Sequence, residues 1–152
     1  MIWRLLESLP IELEQSQRKN IFHTRCKVYE NICYVIVDSG SCCNYCSSRL
    51  VDKLVLTTIR HPKPYKLQWI KDDGGIMVKD QVNIPIFIEN YQESILCDIV
   101  PIETGHILLG RLWQFEKHSI YDGLINKISF THKGKKIVLF PLTPQQVRDR
   151  TK

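Results

Sequence analysis

The chain has 152 residues, of which 43% are hydrophobic and 24% are charged. This length is enough for one domain with its own core, and this composition excludes a chain that is disordered over most of its length. The formal net charge of +5 comes from scattered basic residues, so it gives only a mild attraction to anions.

Residues 1–20 are predicted to form an N-terminal helix and a linker. Pro10 ends a stretch whose apolar residues have the spacing of an amphipathic helix: Ile2, Leu5, Leu6 and Leu9. No segment of the chain reaches the roughly 20 apolar residues that a membrane-spanning helix needs. Because Arg4 and Glu7 also interrupt any N-terminal apolar stretch, we expect no signal peptide, no membrane partner and a cytoplasmic protein.

Residues 21–147 are predicted to form the folded domain, followed by a C-terminal tail over 148–152. Ile21–Tyr29 and Ile32–Val37 are rich in β-branched, aromatic and cysteine residues and flank a turn candidate at Glu30–Asn31, so they predict a β-hairpin. The segment Ser47–Leu54 has apolar residues at helical spacing and predicts a short helix, with Ser47 or Ser48 as its N-cap.

A second hairpin is predicted around Asp72–Gly75. The strand-like segments Tyr65–Ile70 and Ile76–Ile88 flank these four residues. Asp-Gly and Gly-Gly steps supply the positive φ that tight hairpin turns require. The sequence therefore predicts a long hairpin with its turn at Asp72–Gly75.

The rest of the domain is predicted to form further strands. Ile95–Ile102 and His106–Leu109 are apolar runs, and Ser119–Thr131 and Ile137–Leu142 flank a turn at Lys133–Gly134. The fold class is therefore all-β, with a small closed barrel or folded sheet and one or two short helices.

The segment Tyr34–Ser41 carries the candidate catalytic residue. An apolar strand delivers Asp38 to its end, and Ser39 and Gly40 follow at once. Gly40 permits a tight turn, and Ser39 can place a hydroxyl beside the carboxylate without bulk. A strand end of this kind holds a carboxylate at the edge of an apolar interior. Asp, Ser and Gly are also ordinary turn residues, so this tripeptide alone does not identify a site.

Two motifs together resemble a known family. Asp38–Ser41, with the apolar run before it, is similar to the active-site motif of retroviral-type aspartic proteases, the retropepsins. Ile107–Arg111 resembles the second signature of that family, two apolar residues and a glycine that pack beneath the catalytic loop. The similarity is greatest to the protease region of plant gypsy-type retrotransposon polyproteins, and it runs from Asn20 to Val147. It includes three further phrases: Asn20–Cys26, Pro64–Trp69 and Pro141–Pro144.

The resemblance implies a retropepsin-like closed barrel and an aspartic-type endopeptidase that processes a retrotransposon polyprotein. Two carboxylates share a proton in such enzymes, and the ionised one activates a water while the protonated one donates to the peptide carbonyl. Asp38 would be the catalytic aspartate, with Ser39 and Gly40 in its loop. The chain has a single Asp-Ser-Gly motif, so the second aspartate would come from another copy in an isologous homodimer.

The resemblance also implies that the hairpin around Asp72–Gly75 folds over a bound peptide as a flap. Asp73, Gly74 and Gly75 would then bind substrate, and the glycines would let the tip move. An ordinary surface hairpin explains the same residues, and both interpretations remain open. The expected partners are a second copy of the chain and a peptide or polyprotein substrate, with no cofactor, no metal and no nucleic acid.

The six cysteines are expected to be reduced thiols, since a domain of this size can build a core without disulfides. Cys43 and Cys46 have the spacing of a zinc-ligand pair, with His61 or Cys33 as further candidate ligands. A structural zinc site usually needs a second pair at regular spacing, and the sequence has none. Metal binding is therefore the weaker interpretation.

Other functions fit parts of the sequence less well. Cys97 with His106 or His61 suggests Cys–His nucleophilic catalysis, but the apolar neighbours of this cysteine indicate a buried thiol. Tyr65 and Trp69 beside basic residues suggest nucleic-acid stacking, but the same pattern fits a buried strand. The main alternative is an inactive domain that keeps the fold as a dimerisation or peptide-binding module.

Overall fold

The structure, a computed structural model, describes residues 21–69 and 72–149. Within these residues it has ten strands and three short helices, which confirms the all-β class. The strands are β1 (Ile21–Val28), β2 (Asn31–Asp38), β3 (Tyr45–Ser47), β4 (Thr58–Trp69), β5 (Asp72–Ile88), β6 (Tyr91–Val100), β7 (Ile107–Leu109), β8 (Ile120–Asp122), β9 (Lys127–His132) and β10 (Lys135–Leu139). The helices are α1 (Ser48–Leu54), α2 (Arg111–Lys117) and α3 (Pro144–Asp149).

Seven strands form one sheet in the order β1-β2-β7-β3-β6-β5-β4. β1 also pairs with β5, at Lys27 and Phe87, which closes six of the seven strands into a ring and leaves β4 outside it. The strands β8, β9 and β10 form a separate three-stranded sheet. Closing a sheet in this way pairs strand edges that would otherwise be exposed.

β2 and β7 run side by side and parallel within the ring. Val35 and Val37 of β2 pack into the larger core cluster, whereas Ile36 between them packs into the smaller cluster. Leu109 and Leu108 of β7 divide between the same two clusters. Both faces of β2 are therefore covered, which is why its sequence is a continuous apolar run rather than an alternating one.

Several predicted elements are confirmed. β1 and β2 form the antiparallel hairpin, although its turn is shifted by one residue because Asn31 already belongs to β2. Ser47 caps α1 and accepts a hydrogen bond from the backbone N–H of Arg49. β9 and β10 pair across Lys133–Gly134, whose φ angles are 51° and 80°.

Two elements differ from the predictions. β4 begins at Thr58 rather than at Tyr65, and a register shift between Arg60 and Tyr65 accommodates the two prolines of this strand. Proline lacks the N–H that a regular ladder needs, so it is tolerated at such an irregularity. The helix α2 was not predicted: only Trp113 of its seven residues is fully buried, so it lacks a broad apolar face.

The predicted helix and linker over residues 1–20 lie outside the described residues, as do residues 150–152. α3 continues to Asp149, across the predicted end of the domain at 147, and the domain boundaries stay predictions. No helix in the described part of the chain is long and apolar enough to cross a membrane.

Candidate active site

Asp38 is the last residue of β2 and is only 2% exposed. It lies opposite Ile21 of β1, and the residue before it, Val37, pairs with Leu109 of β7. The strand that carries the carboxylate is thus flanked on both edges and packed on both faces. Such packing holds the backbone of Asp38 in one position, as a catalytic carboxylate requires.

A tight turn after β2 orients the Asp38 carboxylate. The backbone N–H of Gly40 donates to Asp38 Oδ1 over 2.6 Å, and the N–H of Ser41 donates to the Asp38 carbonyl oxygen over 3.2 Å. The first of these bonds is the side-chain-to-backbone contact of an Asx-turn. Ser39, which lies between Asp38 and Gly40 in the chain, is exposed. Asp38, Ser39 and Gly40 therefore form one turn, and their catalytic role stays a prediction.

Gly110, directly after β7, supports the loop that follows this turn. Its N–H donates to Asn44 Oδ1 over 3.0 Å. A Cβ at position 110 would lie 2.3 Å from the Cys43 carbonyl oxygen and 2.6 Å from the Ser41 carbonyl oxygen. Only glycine fits at this close approach of two backbones. The segment Ile107–Arg111 thus packs beneath the Asp38 loop, as the family resemblance implied.

The start of α2 is tied to the same loop. The N–H of Arg111 donates to the Ser41 carbonyl oxygen over 2.7 Å, and the N–H of Leu112 donates to the Cys42 carbonyl oxygen over 3.2 Å. The first N–H groups of a helix have no partner within the helix. Here the loop after Asp38 supplies two of those partners, so the loop and α2 stabilise each other.

His106 is a structural residue of this region. The N–H of Tyr34 donates to His106 Nδ1 over 2.8 Å, and the N–H of His106 donates to the Tyr34 carbonyl oxygen over 3.0 Å. Burial lowers the pKa of His106, and the charges of Arg49 and Lys53 add to this effect. Burial also raises the pKa of Cys97 well above its usual range, so this cysteine is a poor nucleophile. Both findings disfavour the Cys–His interpretation.

The predicted flap is the antiparallel hairpin of β4 and β5, but its turn is not where the sequence suggested. Trp69 pairs with Asp72, and Asp72 is already the first residue of β5. The prediction of a turn at Asp72–Gly75 is therefore wrong: these four residues belong to a strand. The Asp-Gly signal was misleading because strand pairing begins before the glycines.

The backbone conformation and the close packing at position 75 both favour glycine. Its φ is 67°, and a Cβ there would lie 2.9 Å from the Leu67 carbonyl oxygen. It faces the register shift between Leu67 and Trp69, where the β4–β5 ladder is irregular. The described residues do not test the predicted substrate-binding role of Asp73, Gly74 and Gly75.

A buried carboxylate joins the base of this hairpin to the body of the domain. Asp98 on β6 is 6% exposed and accepts a hydrogen bond from Tyr65 Oη over 2.6 Å and from Gln81 Nε2 over 2.8 Å. His61 Nε2 lies 3.5 Å from Asp98 Oδ1. Burial, together with the bond to Asp98, raises the pKa of Tyr65, so its hydroxyl remains a donor. The Asp98 N–H donates to the Asn44 carbonyl oxygen over 2.9 Å, which extends the network to the loop that follows Asp38.

Sequence reasoning missed the Asp98 network. The signal that was available is an aspartate inside the apolar run Ile95–Ile102. A charge at a buried strand position is rare unless hydrogen bonds satisfy it. A buried Asp98 therefore requires hydrogen-bond donors from other residues. The sequence gives no means of naming them, because they lie on β4 and β5.

All six cysteines are free thiols, and four of them are buried. The Sγ atoms of Cys42 and Cys43 are 3.4 Å apart. Burial raises the pKa of Cys46 to about 12, which keeps that sulfur protonated and disfavours it as a metal ligand. Over residues 21–69 and 72–149, no three His, Cys, Asp or Glu side chains are grouped so that they could hold a metal ion.

Comparison with solved structures identifies the architecture. The retroviral protease-like domain of Ddi1 from Leishmania major matches this chain with a TM-score of 0.59 and 10% sequence identity, over 82% of this chain and 95% of that one. The chain has a retropepsin-like fold. A retropepsin-like aspartic protease from Rickettsia conorii is also similar, with a TM-score of 0.46 and 16% identity over 80% of this chain and 83% of that one. No family model and no curated protein matches the sequence.

The retropepsin-like fold confirms the predicted fold class. At 10% identity the likeness is one of fold, so the roles of individual residues are not carried over from the Leishmania domain. The predicted catalytic role of Asp38 is therefore argued from the geometry of its own turn and from the two sequence motifs.

Proposed function

We propose that this protein is an aspartic-type endopeptidase whose two catalytic aspartates come from two copies of the chain. The observation that carries this proposal is the setting of Asp38 at the end of β2, in a retropepsin-like fold, with one carboxylate oxygen bonded to the Gly40 N–H. A carboxylate held in one orientation can accept a proton from an attacking water with little reorganisation.

The reaction requires a second carboxylate. Two carboxyl groups a few ångströms apart share one proton, because like charges at that distance do not both ionise. The ionised group takes a proton from the water that attacks the scissile carbonyl, and the protonated group donates to the carbonyl oxygen. An isologous dimer that brings Asp38 of each copy to the symmetry axis supplies both groups. Their titration then belongs to the pair.

The β4–β5 hairpin is proposed to close over the bound peptide, with Asp73, Gly74 and Gly75 contacting the peptide backbone. The length of the two strands and the positive φ of Gly75 support this role. The resemblance to plant gypsy-type elements supports a retrotransposon polyprotein as the substrate. In this proposal the chain is a processing enzyme of such an element.

Cleavage of a peptide library by the purified full chain tests the proposal. Wild type is expected to cleave at mildly acidic to neutral pH, and Asp38→Asn to lose at least about 100-fold in rate, because it removes the carboxylate that activates water. The matched control is Asp122→Asn, at an exposed aspartate that also precedes a turn, and it should cleave as wild type does. Equal cleavage by wild type and Asp38→Asn would exclude Asp38 as the catalytic residue.

Sedimentation across a concentration series tests the dimer. The cleavage rate per chain should rise with the fraction of dimer, because each monomer has only one of the two carboxylates. A wild-type chain that is dimeric and cleaves no peptide would overturn the enzyme proposal. The non-catalytic module, for dimerisation or peptide binding, would then be the better account.

A further inference from the structure

Two cysteines lie in contact directly behind the proposed catalytic turn. Cys42 and Cys43 belong to the loop between Asp38 and β3, and their Sγ atoms are 3.4 Å apart. Both side chains are partly exposed, whereas the other four cysteines are buried. Paired thiols that an oxidant can reach are the arrangement from which a disulfide forms.

We propose that Cys42 and Cys43 form a reversible vicinal disulfide that displaces the loop behind Asp38. With hydrogen peroxide as the oxidant, the Cys42 thiolate attacks one peroxide oxygen, the O–O bond breaks, and hydroxide leaves and takes up the thiol proton as water. The Cys43 sulfur then attacks the sulfur of the Cys42 sulfenic acid, and the hydroxyl group leaves with the Cys43 proton as a second water. Two thiols and one peroxide thus give one disulfide and two waters.

Cys43 is assigned the second step because it is held as a thiol. Burial, followed by the hydrogen bond with Cys42, raises the pKa of Cys43 to about 12. A thiol that keeps its proton does not start the attack on peroxide. It can react with a sulfenic acid held in contact with it, because its proton passes to the leaving hydroxyl group as the sulfurs join. Cys42, the thiol that reacts with peroxide, is itself partly exposed, so a small oxidant can reach its sulfur from solvent.

The geometry of adjacent residues makes this disulfide both disruptive and reversible. Consecutive Cα atoms are about 3.8 Å apart across a trans peptide, whereas disulfide-linked residues usually have Cα atoms roughly 4.4–6.8 Å apart. Closing the bond therefore strains the peptide between Cys42 and Cys43. Strained disulfides are more easily reduced, which is typical of regulatory ones.

The peptide that the disulfide would strain, and the one after it, carry contacts that hold the loop in place. The Cys42 carbonyl oxygen accepts from the N–H of Leu112, and the Cys43 carbonyl oxygen accepts from Ser41 Oγ, each over 3.2 Å. The peptide between Cys42 and Cys43 contains the Cys42 carbonyl group, so turning it withdraws the acceptor of the Leu112 N–H, whereas the Cys43 carbonyl belongs to the next peptide. The N–H of Ser41 is itself bonded to the Asp38 carbonyl oxygen, so the displacement reaches the catalytic turn within one residue.

A thiol count on the full chain tests the disulfide. After treatment with one equivalent of hydrogen peroxide, unfolding and alkylation, wild type should fall from six free thiols to four, and dithiothreitol should restore all six. Cys43→Ser should instead retain a sulfenic acid at Cys42, which dimedone captures, and Cys42→Ser should keep its thiols. Cys33→Ala, at a buried thiol, is the matched control and should lose two thiols as wild type does. Six thiols left in wild type, or a disulfide mapped to another pair, would overturn the proposal.

Two further readouts test the effect on the loop. Oxidation should accelerate hydrogen exchange at the Leu112 amide, whose acceptor is withdrawn, and no change there would contradict the displacement. The effect on catalysis rests on the proposed function: oxidised wild type should cleave peptide about 100-fold more slowly, the usual cost of a misplacement near 1 Å, and Cys42→Ser should be insensitive to peroxide. If reduced wild type cleaves nothing, the proposed function fails, while the thiol count and the exchange rate still decide the disulfide.

Discussion

Backbone atoms occupy the space that a side chain at position 110 would need. The two atoms nearest to a Cβ there are carbonyl oxygens, of Cys43 at 2.3 Å and of Ser41 at 2.6 Å. Carbonyl oxygens cannot rotate away as the end of a flexible side chain can. The φ of Gly110 is −98°, which any residue adopts, so close approach rather than backbone conformation requires glycine here.

Gly110→Ala is therefore expected to lower the free energy of unfolding by about 1–3 kcal/mol, the usual cost of overpacking. Gly123→Ala is the matched control, because the nearest atom to its Cβ is Tyr121 Cε2 at 3.5 Å, an ordinary contact. That control should stay within about 0.5 kcal/mol of wild type. Urea unfolding measures both variants, and equal midpoints for the two would mean that Gly110 does not fix the loop.

The two buried aspartates differ in how far the sequence predicts them. Asp38 was predictable because β2 is covered on both faces and so reads as an unbroken apolar run that stops at a carboxylate. The donors to Asp98 come from Tyr65 and Gln81, on two other strands. Only the register of those strands brings Tyr65 and Gln81 to Asp98. Strand register could not be predicted from the residue patterns of this single sequence.

The β4–β5 hairpin was also predicted only in part from the sequence. Its existence was predictable from two apolar segments around a glycine pair. Its bounds were not, because Pro62 and Pro64 argue against a strand and only the register shift after Arg60 makes room for them. The turn was misplaced because Asp-Gly is a strong local turn signal, whereas the pairing of Trp69 with Asp72 is decided by the sheet.

The bond from Tyr65 to Asp98 fixes this hairpin to the body, so Tyr65→Phe should destabilise the domain. Removing the hydroxyl leaves a buried carboxylate short of one donor, at a cost of about 1.5–3 kcal/mol for a hydrogen bond to a charged group. Tyr121→Phe is the control, since its hydroxyl bonds the Asn126 side chain at the surface. Chemical unfolding should separate the two variants, and equal stability would mean that the Asp98 network does not stabilise the fold.

An ion pair near the end of α2 bears on the stability of the whole molecule. Lys117 Nζ lies 2.6 Å from Glu93 Oε1, and the Tyr91 hydroxyl donates to the same oxygen. Burial alone would raise the pKa of Glu93, but the hydrogen bonds from Lys117 and Tyr91 outweigh it and lower the pKa below the usual value. This carboxylate joins β6 to α2, the helix that also bonds to the loop after Asp38.

The lowered pKa of Glu93 predicts a loss of stability at acid pH. Its stabilisation is fully present above the unfolded-state pKa of about 4.3 and is lost as pH falls through the folded-state value. Wild type should therefore be more stable than Glu93→Gln at pH 7, and the difference should shrink below about pH 4. Urea unfolding at several pH values measures it, with Glu89→Gln at an exposed turn as the control. A difference that does not change with pH would contradict the assignment.

The all-β architecture was predictable from the composition of the segments and from the family resemblance. The path of the chain between the strands was not. α2 illustrates the reason: its first N–H groups bond to Ser41 and Cys42 rather than to a capping side chain, so no local sequence signal marks its start. Its position depends on a loop much earlier in the chain.

The parallel pairing of β2 with β7 has a consequence for when the site can form. Tyr34 and His106, which bond to each other beside this pairing, are 72 positions apart in the chain. Contacts between such distant segments form slowly, because a long loop must close first. A nascent chain that has not yet emerged as far as residue 110 lacks both the neighbouring strand and the glycine on which the Asp38 loop rests. Most of the domain must therefore be synthesised before Asp38 can pack beside β7 and its loop can rest on Gly110.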